Sequence, residues 1–174
     1  IKTRACVGWA AGLAESSHLV ADALRRAAGV AVPAIFYVDR GAGFKNKALS
    51  DAEIGVLQRL GTTLEHSLPY NSQARGIGER FHDTWKRAGR TLPTFAGADM
   101  DREARQRVFQ RSRREIAEHG ASQIHMPWPD FISWATDVIA AYNAHPHSGL
   151  PKTSDPETGK RRHLSPDEAW RAAE

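Results

Sequence analysis

Two carboxylates stand where chemistry is easiest to build. Asp39 closes the apolar run Ala34-Ile35-Phe36-Tyr37-Val38 and is followed by the loop Gly41-Ala42-Gly43. In open α/β sheets the carboxyl edge of a strand is where ligands bind, because the strand holds the side chain and the loop leaves room beside it. Taken alone, Asp39 also reads as a turn or helix-cap residue. Glu79 lies in Ala74-Arg75-Gly76-Ile77-Gly78-Glu79-Arg80-Phe81-His82, a helix whose other positions are mostly basic or small. Two glycines in early helical turns cost about 1 kcal/mol each against alanine. That cost suggests close approach by another backbone or by a ligand. Spacings of three and four put Arg75, Glu79, Asp83 and Lys86 on one stripe, opposite Ile77, Phe81 and Trp85. Taken alone, Glu79 also reads as the partner of Arg75.

The pair says more than either member. A helix, a strand and the start of a second helix fill the interval, so the second helix can return beside the end of the first strand. Paired carboxylates flanked by cations suit Mg²⁺ (or Mn²⁺) rather than zinc, since magnesium takes oxygen ligands and is completed by substrate phosphates. Two such ions could activate an attacking oxygen and stabilise a leaving one in phosphodiester chemistry. Arg75, Arg80, Lys86 and Arg87 are the candidates for holding the phosphate backbone of DNA.

The elements that must position these acids follow from hydrophobic periodicity. Ala5–Ala10 predicts a mostly buried strand. Ser16 or Ser17 caps a helix with Leu19, Val20, Ala23 and Leu24 on one face, which stops near Gly29. Residues 34–38 predict a strand, and Ser50-Asp51 caps a helix through Leu57 and Leu60 to Gly61. A short strand over 62–67 and a helix over 73–88 complete an alternating pattern, which favours a mixed α/β domain with parallel strands. After Pro93 the texture changes. Asp101 opens a polar helix to about His119, and Pro127 with Asp130 starts another carrying Phe131, Trp134, Val138, Ile139 and Tyr142. Ser165-Pro166-Asp167-Glu168 is a helix start with a capping box.

Composition narrows the class. The 174 residues carry 24 Lys+Arg against 20 Asp+Glu, with 41% hydrophobic residues and five Trp, which excludes a disordered chain. No apolar stretch approaches a membrane span, and Cys6, the single cysteine, excludes a disulfide framework or a Cys-rich zinc site. The basic excess is concentrated at 74–119, where eleven Lys/Arg face seven acids. Within it the Arg-rich run from Arg102 to Arg114 reads as a solvated face paired with Glu or as part of a polyanion contact. His145 and His147 lack a third ligand nearby, and the 41–43 loop lacks the Lys and Ser/Thr of a P-loop. The chain begins Ile1-Lys2-Thr3-Arg4 without Met or a signal pattern, so it is read as a piece whose upstream neighbour is missing.

Tyr37-Val38-Asp39-Arg40-Gly41-Ala42-Gly43-Phe44-Lys45-Asn46 resembles the segment around the second acid of DDE transposases and retroviral-type integrases. Asn71-Ser72-Gln73-Ala74-Arg75-Gly76-Ile77-Gly78-Glu79-Arg80-Phe81 resembles their third-acid helix, and Val7-Gly8-Trp9 with the 17–28 helix resembles their third strand and first helix. The later segments Leu92–Met100, Tyr142–Leu150, Thr158-Gly159-Lys160 and Ser165–Trp170 are similar to transposases of phage Mu and Mu-like prophages. Single motifs are weak; their order and spacing along nearly the whole chain carry the likeness.

The resemblance implies an RNase H-like core over 1–95, truncated at its N-terminal edge, with a helical extension over 96–174. It implies that Asp39 and Glu79 are two of three metal-binding acids, and that the first Asp lies upstream of Ile1. Asp22, the only earlier Asp, sits mid-helix and reads as a surface residue. The expected activity is metal-dependent 3′-end cleavage of DNA followed by strand transfer, at a site with two Mg²⁺ ions. The expected partners are double-stranded DNA at transposon ends and target, further copies of the chain assembled on DNA, and a target-selection ATPase. The expected compartment is the bacterial cytoplasm, and the piece alone is expected to be inactive. Two rivals stay open: another RNase H-like nuclease, and a non-catalytic nucleic-acid-binding or assembly module of the same fold.

Overall fold

The computed structural model describes residues 2–12, 16–38, 51, 55–66, 72–92, 95 and 100–173, with the side chains of 72–75, 77 and 79 outside that description. Asp39 falls outside it as well. The chain divides into two compact units, Ile1–Gly76 and Ile77–Glu174.

In the first unit, helix α1 (Ser17–Ala28) starts where Ser16 adopts extended backbone and its hydroxyl accepts a hydrogen bond from Leu19 N–H at 3.4 Å. That bond satisfies one of the amides a helix leaves open at its first turn. Strand β1 (Ile35–Val38) pairs in parallel with strand β2 (Thr63–His66), in the register Ile35↔Thr63 to Val38↔His66. The short helix α2 (Val56–Arg59) lies between them in sequence. Thr62 locks the start of the pair: its buried hydroxyl donates to Pro33 O at 2.7 Å, and the next amide, Thr63 N–H, donates to Ala34 O. Leu24 and Leu57 are buried together, with Val20, Ala21, Phe36 and Leu64 packed on them. This small core holds α1 and α2 onto the strand pair.

The expected strand over 5–10 is a correction. Residues 4–10 join no ladder among the described residues. A strand exists through its cross-strand hydrogen bonds, and this segment instead lies on α1. A Cβ placed on Gly8 would be 2.4 Å from Ala23 O and 2.6 Å from Ala27 N, so glycine here permits backbone-to-backbone approach. Beside it the Arg26 guanidinium lies over the Trp9 ring at 5.4 Å.

The second unit is helical with a small hairpin. Helix α3 (Ser72–Gly89) straddles the boundary between the units, and its part from residue 77 belongs here. Helix α4 (Arg102–His119) is capped by Asp101, whose carboxylate accepts from the Glu103 and Ala104 amides, and it stops at Gly120 with φ 74°. Helix α5 (Trp128–Ala144) begins after Pro127 with Pro129 in its first turn, where a missing N–H costs nothing. Aromatic rings join α3 to α5. Phe81 meets Tyr142 edge-on with centroids 5.0 Å apart, and Trp85 meets Trp134 at 5.2 Å. Phe131 and Trp128 continue the row from Trp134.

After His145 the chain holds an antiparallel pair, β3 (Lys152–Ser154) with β4 (Arg161–His163). Helix α6 (Pro166–Arg171) follows with the expected capping box: Ser165 Oγ accepts from Glu168 N–H while the Glu168 carboxylate accepts from Ser165 N–H. Arg162 ties hairpin to helix, reaching Asp155 at 3.0 Å and Glu168 at 2.5 Å. Thr158 and Arg162 hold the Asp155 carboxyl down at about 2, and Arg162 with Ser165 N–H does the same for Glu168. Helix α5 packs on α6, with Ala135, Ile139, Ser165 and Pro166 buried.

Candidate functional site

The first unit presents one edge suited to a ligand. β1 and β2 run in parallel and end together at Val38 and His66. Val38 is buried at 6% exposure, and the next residue in sequence is Asp39, which lies outside the described residues. Parallel strands leave their carboxyl ends on one side of a sheet, the side where ligands bind in open α/β sheets.

Glu79 lies in the third helical turn of α3, in the part that belongs to the second unit. By helical spacing its position is opposite those of Phe81, Trp85 and Ala88, which with Gly76 and Thr84 are the half-buried residues of α3 among those described. Arg80, Lys86 and Arg87 are all exposed; Arg75 is among the residues whose side chains are not described. Arg87 Nε is 3.5 Å from the carbonyl of Asp83, a long contact that leaves its other donors outward. Arg87 also borders a cleft of about 460 Å³ with Thr84, Val138, Tyr142 and His145, so this cation stands at the lip of an apolar, aromatic-walled groove.

For the α3 glycines, a Cβ on Gly76 or Gly78 would meet nothing within 4 Å among the described residues, so no described backbone requires glycine at either place. Asp22 is as expected a surface residue: Arg25 and Arg26 of its own helix pair with it at 2.8 and 3.4 Å, and Arg25 first among them holds its carboxyl below the ordinary range. Burial pushes the Cys6 thiol up, away from the thiolate form.

Other polar groups have structural work. His147 is built into its loop, its N–H donating to Leu164 O and its Nδ1 accepting from Gly149 N–H. Ser112, buried on α4, shares a short hydrogen bond with His125 Nε2. Nearby the Glu115 carboxylate takes Ser122 Oγ and Gln123 N–H while paired with Arg111, and these contacts hold it down at about 2. They fasten the 121–125 turn to α4. Among the described residues no group of three His, Cys, Asp or Glu is placed to hold a metal ion, and no helix is long and apolar enough to cross a membrane.

No protein-family model matches the chain, and no curated protein matches it.

Proposed function

We propose that this chain is the catalytic core of a DDE-type DNA transposase of the Mu-like kind, built on an RNase H-like fold. One observation carries the reading: the parallel pair β1–β2 ends in register, with Asp39 directly after the buried Val38, and the next helix in sequence, α3, bears Glu79. Strand–acid followed by strand–helix–acid is the order in which the sequence motifs resemble that family.

Asp39 and Glu79 offer only hard oxygen donors, a set that fits Mg²⁺ or Mn²⁺ and not a soft metal. When bound, two such ions supply Lewis-acid activation of the attacking oxygen and charge neutralisation on the leaving one. The chain's own part is to hold these carboxylates at the root of a strand and in a helix, and to grip the DNA. Arg80, Lys86 and Arg87 place exposed cations along α3 for the phosphates that flank the scissile bond, with Arg75 assigned to the same task from its sequence position.

In the proposed reaction water attacks the phosphodiester at a transposon end and leaves a 3′ hydroxyl. That hydroxyl then displaces a target phosphate ester, so one bond forms as another breaks and no covalent protein intermediate is needed. Duplex DNA at the ends and at the target is the substrate. Assembly of several copies on DNA, a target-selection ATPase as partner and a bacterial cytoplasmic setting belong to the same proposal.

The test uses the intact protein, labelled end DNA and Mg²⁺ or Mn²⁺. Asp39→Asn and Glu79→Gln should each bring end cleavage and strand transfer to background while end binding stays at the wild-type level. Wild-type strand transfer by Glu79→Gln would refute the assignment. Loss of DNA binding together with activity in both variants would point to a folding role.

A further inference from the structure

The two faces of the β3–β4 hairpin carry different charge. In its register Lys152 lies opposite His163 and Ser154 opposite Arg161, while Thr153 and Arg162 share the other face. Arg162 turns toward α6 and is engaged there: Glu168 accepts from two of its nitrogens and Asp155 from a third. Asp155 also accepts from the Glu157 and Thr158 amides and from the Thr158 hydroxyl, so its carboxylate ties down the turn between the strands.

The outer face has no such pairing. Lys152, Ser154 and Arg161 are exposed on it, and Lys160 is exposed where the turn meets β4. Among the described residues the side chains of Lys152, Lys160 and Arg161 make no ion pair and no hydrogen bond. Within 152–163 the acids are Asp155, which Arg162 neutralises, and Glu157, which is exposed at the tip. Three open cations therefore stand against one open carboxylate, on a ribbon whose inner face is fastened to α6.

We infer that the outer face of this hairpin is a contact for the sugar–phosphate backbone of duplex DNA, independent of sequence. Lys152 and Arg161 are diagonal neighbours across the ladder, at positions about 7–8 Å apart. A duplex carries one charge per about 1.7 Å of its axis, so that span meets about four phosphates. Two strands about 4.8 Å apart also fit a groove about 12 Å wide, where their cations lie against the phosphates of its wall. The Asp155 turn and the Arg162 bridge fix the roots of these side chains before DNA arrives, so little backbone order has to be gained on binding. A membrane surface would call for apolar side chains on the same face, and a protein partner for aromatic or aliphatic anchors; β3 and β4 carry neither. The choice of DNA among polyanions rests on the function proposed above, whereas the contact uses neither Asp39 nor Glu79.

The test is fluorescence anisotropy of two duplexes of about 30 base pairs and unrelated sequence, titrated between about 50 and 200 mM salt. Each phosphate contact contributes about 0.9 to the slope of log affinity against log salt, so K152Q/K160Q/R161Q should flatten it by about 2.7 on both duplexes. Across that fourfold range of salt the wild type should then lose about 40-fold more affinity than the variant. K152R/K160R/R161K keeps the charges and should keep the slope. R107Q/R111Q removes two cations that pair with Glu103 and Glu115 on α4, and should change the slope by less than one contact. A triple Gln variant with the wild-type slope would overturn the inference. So would R107Q/R111Q flattening the slope as much per charge removed, because the effect would then be net charge and not the hairpin face. Tighter binding to phosphatidylserine vesicles than to the duplexes, lost in the triple Gln variant, would also overturn it, in favour of a membrane. Unchanged circular dichroism is expected, since every substituted side chain is exposed. If Glu79→Gln left strand transfer intact while the triple Gln variant lost its slope, the catalytic reading would fail and the DNA contact would stand.

Discussion

Replacing Gly8 by Ala tests how the N-terminal segment is held on α1. The added methyl would lie 2.4 Å from Ala23 O, 2.6 Å from Ala27 N and 2.7 Å from Ala27 Cβ. These distances are about 1 Å short of normal contact. Two of the three atoms are α1 backbone, so no rotamer change relieves the clash and the segment has to lift. Overpacking of this kind costs about 1–3 kcal/mol. Against it stands a gain of about 0.4–1 kcal/mol, because alanine has less freedom than glycine to lose on folding. The steric term wins, leaving a net loss of about 1–2 kcal/mol, or roughly a 5- to 30-fold rise in the unfolded fraction. Urea unfolding followed by circular dichroism should show a lower midpoint at unchanged slope. In a unit of this size each kcal/mol lowers the melting temperature by about 4–8 °C. Among the described residues Leu24 and Leu57 are the buried members of the first unit's core cluster, and Leu24 lies on α1 beside the contact that Gly8 makes. A midpoint equal to or above the wild type's would refute the reasoning, because it would mean that residues 4–10 do not lie on α1.

Gly78→Ala runs the other way: with open space for the methyl, helix propensity should stabilise the protein by about 0.5–1 kcal/mol in thermal melts. If the glycine exists for a ligand, the same variant should bind duplex DNA more weakly; a lowered melting temperature would contradict the open space. Acid titration tests the Arg162 hub. Asp155 and Glu168 are held at about 2 in the fold, from ordinary values of 3.8 and 4.5, so their stabilisation is full above about pH 5 and is lost as pH falls through 2. Melting temperatures of the wild type should therefore drop between pH 5 and pH 2, and Arg162→Gln should flatten that drop. Glu115, also held at about 2, would keep a residual slope. A variant with the wild-type pH profile would show that the hub does not link hairpin to helix.

Local signals of fixed spacing were legible from the sequence alone. Ser16, Asp101 and the Ser165–Glu168 box start helices because a side-chain oxygen beside a helical run meets amides that have no other partner. The runs at 35–38 and 63–66 are strands because β-branched and aromatic residues fit a pleated surface, and their separation by helical sequence demanded a parallel pairing. Asp39 and Glu79 were singled out in the same way, from the end of a run and from the company of glycine and arginine. What depends on contacts between distant residues was not legible. The 5–10 run has a strand's composition, but only a partner makes a strand, and tertiary packing laid it on α1 through Gly8. Lys152–Ser154 and Arg161–His163 carry too much charge to look like strands, and it is Arg162 bridging Asp155 to Glu168 that binds the hairpin to α6. The Arg-rich run shows the division most clearly. Its composition was plain from the start, but which positions of α4 are covered depended on where the 121–125 turn would fold back onto Ser112 and Glu115.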